Sequence, residues 1–186
     1  LEESIKLLNS VDGKYKERNY AIITLFLNCG LRLSELCAMN INDLNFDENV
    51  FKVRGKGNKE RIVYLNKACV DALKDYLKIR KNMTSKEKEA LFISRNDKRI
   101  SQRSVELMVE NTLKKAGLSG QGYTVHKLRH TAATLMYQHG NVDIRVLQQV
   151  LGHENLGTTE IYTHLSSSQL KKASEANPLS NIKSGH

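Results

Sequence analysis

Three stretches of the chain set polar side chains at spacings that suit a reacting anion. In YTVHKLRHTAATLMYQHG, His126, Arg129 and His130 fall in about one helical turn. In LGHENLGTTEIYTH, His153 stands nine residues before Tyr162, and in NCGLRLSEL, Arg32 follows Gly30. Two chemistries compete for such a set. Clustered imidazoles suit a divalent metal, whereas arginine interleaved with histidine suits a phosphate.

The metal reading fails on the neighbours. His126 and His130 share a helical face, but Lys127, Leu128 and Arg129 lie between them, with no glutamate to act as base. A guanidinium beside the pair would repel a divalent cation. No metal site and no cofactor are expected. The phosphate reading fits better: His126 and Arg129, three apart, present donors to one anion, and a guanidinium can make bidentate contact. Arg32 should open a helix after Gly30, where a positive dipole end and a basic side chain coincide. His153 follows Gly152 on a turn, and Tyr162 lies on the next helix. Two arginines and two histidines around a tyrosine describe phosphoryl transfer without metal, the cations stabilising a phosphorane and the phenol supplying the nucleophile. Singly, each residue has an ordinary role. His130 reads as a buried, hydrogen-bonded core histidine, Arg32 could pair with Glu35 one turn later, and Tyr162 is one of seven tyrosines.

The elements that must hold these groups are mostly helical. Apolar residues recur at helical spacing in 2–10, 17–28, 33–39, 67–80, 102–116, 127–139, 143–151 and 158–173. Gly117, Gly140 and Gly152 each follow such a segment and can close it at positive φ. NVFKVRGKGNKERIVYLN breaks the pattern. Its short alternating runs around a Gly-rich turn predict a β-hairpin, so the fold class is mainly α with a small antiparallel β element, α+β. Lys52, Arg54, Lys56, Lys59 and Arg61 accompany a single acid there, Glu60, which suggests a finger laid against phosphates; protective lysines on an edge strand are the alternative. At the start of the 102–116 helix, Ser101 is the expected N-cap. Gln102 and Arg103 are candidate DNA contacts, although an ordinary polar helix start would look the same.

Composition agrees with a polyanionic partner. Lys and Arg number 29 against 20 acidic residues, a formal charge of +9, in a chain of 186 residues long enough for one sizeable core. Cys29, Cys37 and Cys69 form an odd set with no CxxC, which argues against a disulfide framework and for core packing in a reducing cytoplasm. The longest apolar run, about 21–27, is too short to span a bilayer, so no membrane association is expected.

Taken in order, GLRLSEL, GKGNKER, HKLRHTAATLMYQHG and LGHENLGTTEIYTH resemble the catalytic domain of the tyrosine site-specific recombinases, the phage-integrase and Xer-type family. The resemblance runs from about residue 1 to about 172. It implies that Arg32, Lys56, His126, Arg129, His153 and Tyr162 are catalytic, with Tyr162 the nucleophile and Lys56, on the hairpin, the general acid. His126 and His153 would share proton handling, and which of them is the base stays open. Val125 stands where many relatives have proline. The resemblance further implies an enzyme that cleaves and rejoins double-stranded DNA at a recombination site through a 3′-phosphotyrosyl intermediate, without metal or ATP, in the cytoplasm on the nucleoid. Residues 1–186 would form the catalytic domain, with the family's N-terminal DNA-clamping domain outside this chain. A topoisomerase-like relaxing enzyme and a non-catalytic DNA-binding protein of the same fold are the alternatives.

The end of the chain suggests assembly. In LSSSQLKKASEANPLSNI, Asn177-Pro178 should break a helix and leave Leu179 and Ile182 with no evident place in their own core. With the resemblance, that predicts a monomer when free and a homotetramer on DNA, joined through the tail at about 174–186.

Overall fold

The computed structural model describes residues 1–152 and 167–184, with Lys56 described by its backbone alone. Helices α1 (Glu2–Asn9), α2 (Lys16–Cys29) and the short α3 (Leu33–Cys37) come first. A three-stranded antiparallel sheet follows, in the order β1 (Leu44–Asn45), β2 (Val50–Arg54), β3 (Glu60–Tyr64). Then come α4 (Lys67–Arg80), α5 (Gln102–Lys115), α6 (Val125–Gly140), α7 (Ile144–Val150) and a helix at Ser167–Glu175, here α8. The expected α+β class is the observed one. The sheet gains a third strand because two-residue β1 is too short to show any alternation.

Helix α2 is the axis of the core. Every residue from Tyr20 to Cys29 is buried, as expected of a helix that is apolar all round and packed on several sides. Helices α4 and α6 lie against it. Its left-handed C-cap is Gly30, φ +62°, where an added Cβ would come within 2.3 Å of Leu151 Cδ2. Glycine there serves both the turn and the close approach, and two residues later the chain delivers Arg32 to the start of α3.

Helix α6 starts at Thr124, whose hydroxyl accepts from the Lys127 N–H. It ends one residue later than its sequence suggests. Gly140 remains helical and Asn141, φ +56°, makes the left-handed cap. What requires glycine at 140 is packing: an added Cβ would lie 2.5 Å from the Ala176 carbonyl oxygen. Gly117 and Gly152 do take positive φ after α5 and α7.

The C-terminal segment departs from expectation most clearly. Leu179 is 1% exposed and belongs to the main core, and Ile182 packs against it. Asn177, also buried, donates to the Leu27 carbonyl at 3.0 Å, and the Ser180 carbonyl accepts from the Ala68 N–H at 2.8 Å. Asn66 joins Asn28 to the Ser174 carbonyl. Pro178 does end the helix, but the turn it forces folds the tail back onto α2 and α4 of its own chain. Polarity patterning cannot reveal this, because the contacts are long-range and largely through backbone carbonyls.

Candidate phosphate site

Alternation along the hairpin sorts its cations by face. In the β2–β3 register Val53 pairs with Arg61, Arg54 with Glu60 and Lys52 with Ile62. Val53 is buried, so its partner Arg61 faces inward with Val63, while Lys52 and Arg54 are exposed. Arg54 pairs with Glu60 at 3.3 Å, Lys59 is exposed, and Lys56 opens the turn, its side chain outside the described residues. Arg54 and Lys59 lie on the exposed side, where the expected phosphate finger would need them. Arg61 departs from that expectation.

Arg61 makes two hydrogen bonds to Glu35, Nη1 to Oε2 at 3.0 Å and Nη2 to Oε1 at 3.1 Å. Glu35 is 4% exposed and a carboxylate so buried requires a cation. The same carboxylate accepts from the Arg32 backbone N–H at 2.8 Å and stands 3.8 Å from the Arg32 guanidinium. Arg32 therefore does pair with the glutamate one turn on. Its Nη2 donates to the Gly152 carbonyl at 3.1 Å, across 120 positions of sequence. From α6, Arg129 Nη2 donates to the adjacent carbonyl, that of Leu151, at 2.7 Å. The turn after α7 thus holds, among the described residues, two guanidiniums side by side through one donor of each, and a guanidinium has further N–H groups that suit an oxyanion.

Among the described residues, Glu35 is the carboxylate in contact with this arginine cluster. Burial pushes the Arg129 pKa down to about 10, with the Arg32 charge adding to the effect and Glu35 opposing it. Burial also lowers Arg61, countered by Glu35 and reinforced by Arg32. Arg129 and Arg61 remain cations at neutral pH, so an entering anion meets charge already fixed and partly desolvated, where attraction is strong.

His126 lines the same cleft as Arg32 and Arg129, an opening of about 530 Å³ between α3, α5 and α6. Its Nε2 lies 3.1 Å from Nε2 of His130, the rings edge to face. His130 is exposed, not a core histidine: it falls on the outward side of α6, beside His126 rather than beneath it. That N···N contact requires one ring to donate and the other to accept. Helix α5 supplies Glu106, Val109 and Glu110 to the opposite wall; at its start, away from the cleft, Ser101 is the N-cap as expected, accepting from the Ser104 N–H. Gln102 and Arg103 are exposed, and Arg103 is engaged by Glu106 at 3.2 Å and Glu110 at 3.9 Å. His153 and Tyr162 lie outside the described residues. The fold therefore unites Arg32, His126 and Arg129, and adds Glu35 (expected only as a partner of Arg32), Arg61 (expected as a phosphate contact) and the Leu151 and Gly152 carbonyls, which sequence spacing did not bring out. Period-two alternation through buried Val63 was the available signal for Arg61.

A mainly helical domain with a small antiparallel sheet and paired arginines at a helix–turn junction defines a class, and residues 1–169 match it: the chain belongs to the phage integrase family. Among its relatives, the tyrosine recombinase XerC of Caldanaerobacter subterraneus subsp. tengcongensis is 59% identical over 180 residues, covering 97% of this chain and 50% of that protein. Its counterpart in Thermodesulfovibrio yellowstonii is 40% identical over 188 residues, 97% of this chain and 62% of the other. Of solved structures, XerA recombinase is 37% identical with a TM-score of 0.74, covering 92% of this chain and 61% of its own. XerH site-specific recombinase, bound to its difH substrate in a pre-cleavage complex, is 31% identical with a TM-score of 0.72, covering 88% and 49%. This chain thus spans about half to three-fifths of the length of the relatives it matches.

Proposed function

We propose that the chain is the catalytic domain of a site-specific DNA recombinase that exchanges strands by transesterification. The observation that carries the proposal is the pairing of Arg32 and Arg129 on adjacent carbonyls, Gly152 and Leu151, beside His126. In this reading both guanidiniums hold the non-bridging oxygens of the scissile phosphate. The Tyr162 hydroxyl oxygen attacks phosphorus and the bond to the 5′ oxygen breaks. Lys56 gives that oxygen its proton, and His126 or His153 handles the phenolic proton. The product is a 3′-phosphotyrosyl linkage and a free 5′-hydroxyl, and attack by a 5′-hydroxyl from another strand reverses the chemistry. Fixed guanidinium charge supplies the stabilisation that a metal gives other phosphoryl-transfer sites.

Four copies would act on two duplexes, in the cytoplasm on the nucleoid, with the C-terminal segment passing from its own core to a neighbour. Arg54, Lys59, Gln102 and Arg103 would contact the duplex.

The test is recombination by the intact protein between two copies of the site it selects from random-sequence DNA, in EDTA. Recombination is expected, with Arg32→Ala and Arg129→Ala each abolishing it. Relaxation of plasmids lacking the site, without recombination, would point to topoisomerase chemistry instead. Lys56→Ala should lose cleavage of ordinary DNA but regain much of it when the 5′ bridging oxygen is sulfur, whose thiolate leaves unprotonated. Equal defects on both substrates would remove Lys56 from the general-acid role.

A further inference from the structure

Arg61 occupies a position that phosphate binding does not explain. Its side chain is 21% exposed and each terminal nitrogen donates to Glu35. Its Nε is buried and has no hydrogen-bond partner among the described residues. The guanidinium lies directly under Gly152, where an added Cβ would come within 2.5 Å of Nε and 3.0 Å of Cζ. Gly152 in turn supplies the carbonyl that Arg32 grips, and Glu35 holds the Arg32 backbone N–H. Arg61 thus touches both anchors of Arg32 while projecting from β3, the strand that leaves the turn containing Lys56.

We propose that Arg61 is a positioning residue: locked on Glu35 and packed beneath the Gly152 turn, it sets the placement of the Arg32 guanidinium and registers the Lys56 hairpin against the paired arginines. This inference rests on the recombinase reading above. A lysine cannot replace it, since one ammonium lacks the planar fork that fills both carboxylate oxygens and the flat surface that fits below a glycine. The role is indirect, because the guanidinium is turned onto Glu35 and the Gly152 turn: each terminal nitrogen directs an N–H at the carboxylate, and the Nε is buried.

Two rival roles make different demands. As a phosphate contact, Arg61 would govern DNA affinity and its salt dependence. As a mere counter-ion for buried Glu35, it would govern stability alone, and removing both charges together would restore everything. Positioning predicts a cleavage defect that survives restoration of stability.

The experiment compares Arg61→Gln, Arg61→Lys and the double variant Glu35→Gln/Arg61→Gln with wild type in the intact protein. Single-turnover cleavage is measured at saturating nicked duplex carrying the selected site. The scissile group is either the ordinary phosphodiester or a methylphosphonate, whose missing charge makes Arg32 less necessary. DNA affinity and melting temperature are recorded for each. The expected result is a loss of roughly 10- to 100-fold on the phosphodiester for all three variants, the scale at which small misplacement of a catalytic group is felt. On the methylphosphonate the gap to wild type should shrink, and DNA affinity and its salt slope should stay near the wild-type values. The double variant should melt near wild type yet remain slow. Wild-type cleavage by a double variant of wild-type melting temperature would overturn the proposal, as would an equal loss on both substrates or a loss confined to DNA affinity. If wild type itself cleaves neither substrate, the recombinase reading falls, and this inference with it.

Discussion

At the level of single residues, the site depends on groups that cannot be substituted by size or charge alone. Gly152→Ala would force a left-handed residue to carry a Cβ, costing about 1 to 2 kcal/mol, and would press that Cβ on the Arg61 guanidinium. We expect a lower melting temperature and a cleavage rate reduced more than DNA affinity, measurable on one purified variant. Cys37 offers a pH test. Burial raises its thiol to about 11 from an ordinary value of 9.0, so the folded chain keeps a proton that the unfolded chain releases. The stability this gives is complete below pH 9 and is lost as pH rises toward 11. Melts of wild type and Cys37→Ala across that window should show the steeper decline in wild type; parallel slopes would refute it. Residue chemistry was legible where spacing carried it, as for His126 and Arg129 on α6. It was not legible for His130, whose face depends on which side of α6 the core occupies, or for Arg61, whose inward direction depends on strand register.

At the level of elements, helices were read well because the period of apolar residues reports burial directly, as in α4 and α5. Two-residue β1 and the fold-back after Pro178 escaped, since each is specified by partners distant in sequence. The tail now makes a prediction opposite to one drawn from its polarity. Leu179→Ala should destabilise the domain by about 2 to 5 kcal/mol, the range for emptying a buried leucine site, and truncation after Lys172 should cost more, by exposing the α2–α4 surface that Asn177 and Leu179 cover. Chemical denaturation measures both; an unchanged midpoint would mean the tail is not held in its own core. The hairpin's outer face gives a separate test. Arg54→Ala should reduce the slope of log affinity against log salt by about one, as for a lost phosphate contact. Arg61→Gln should leave that slope alone.

For the whole molecule, the excess of basic residues and the paired arginines would act on different ranges. Net charge would attract a polyanion over a distance and be screened by salt, whereas Arg32 and Arg129, in the proposed role, would hold an anion locally. Sulfate should therefore raise the melting temperature in wild type at constant ionic strength, by mass action on the folded state. It should do so much less in Arg129→Ala. The central claim is that these arginines serve a tyrosine that becomes joined to DNA. The direct measurement is formation of an SDS-resistant adduct between the intact protein and a nicked duplex bearing its selected site, in EDTA, with the modified peptide identified by mass spectrometry. The account predicts an adduct on Tyr162 that disappears in Tyr162→Phe. An adduct that persists in that variant, or one that forms only when metal is restored, would contradict it.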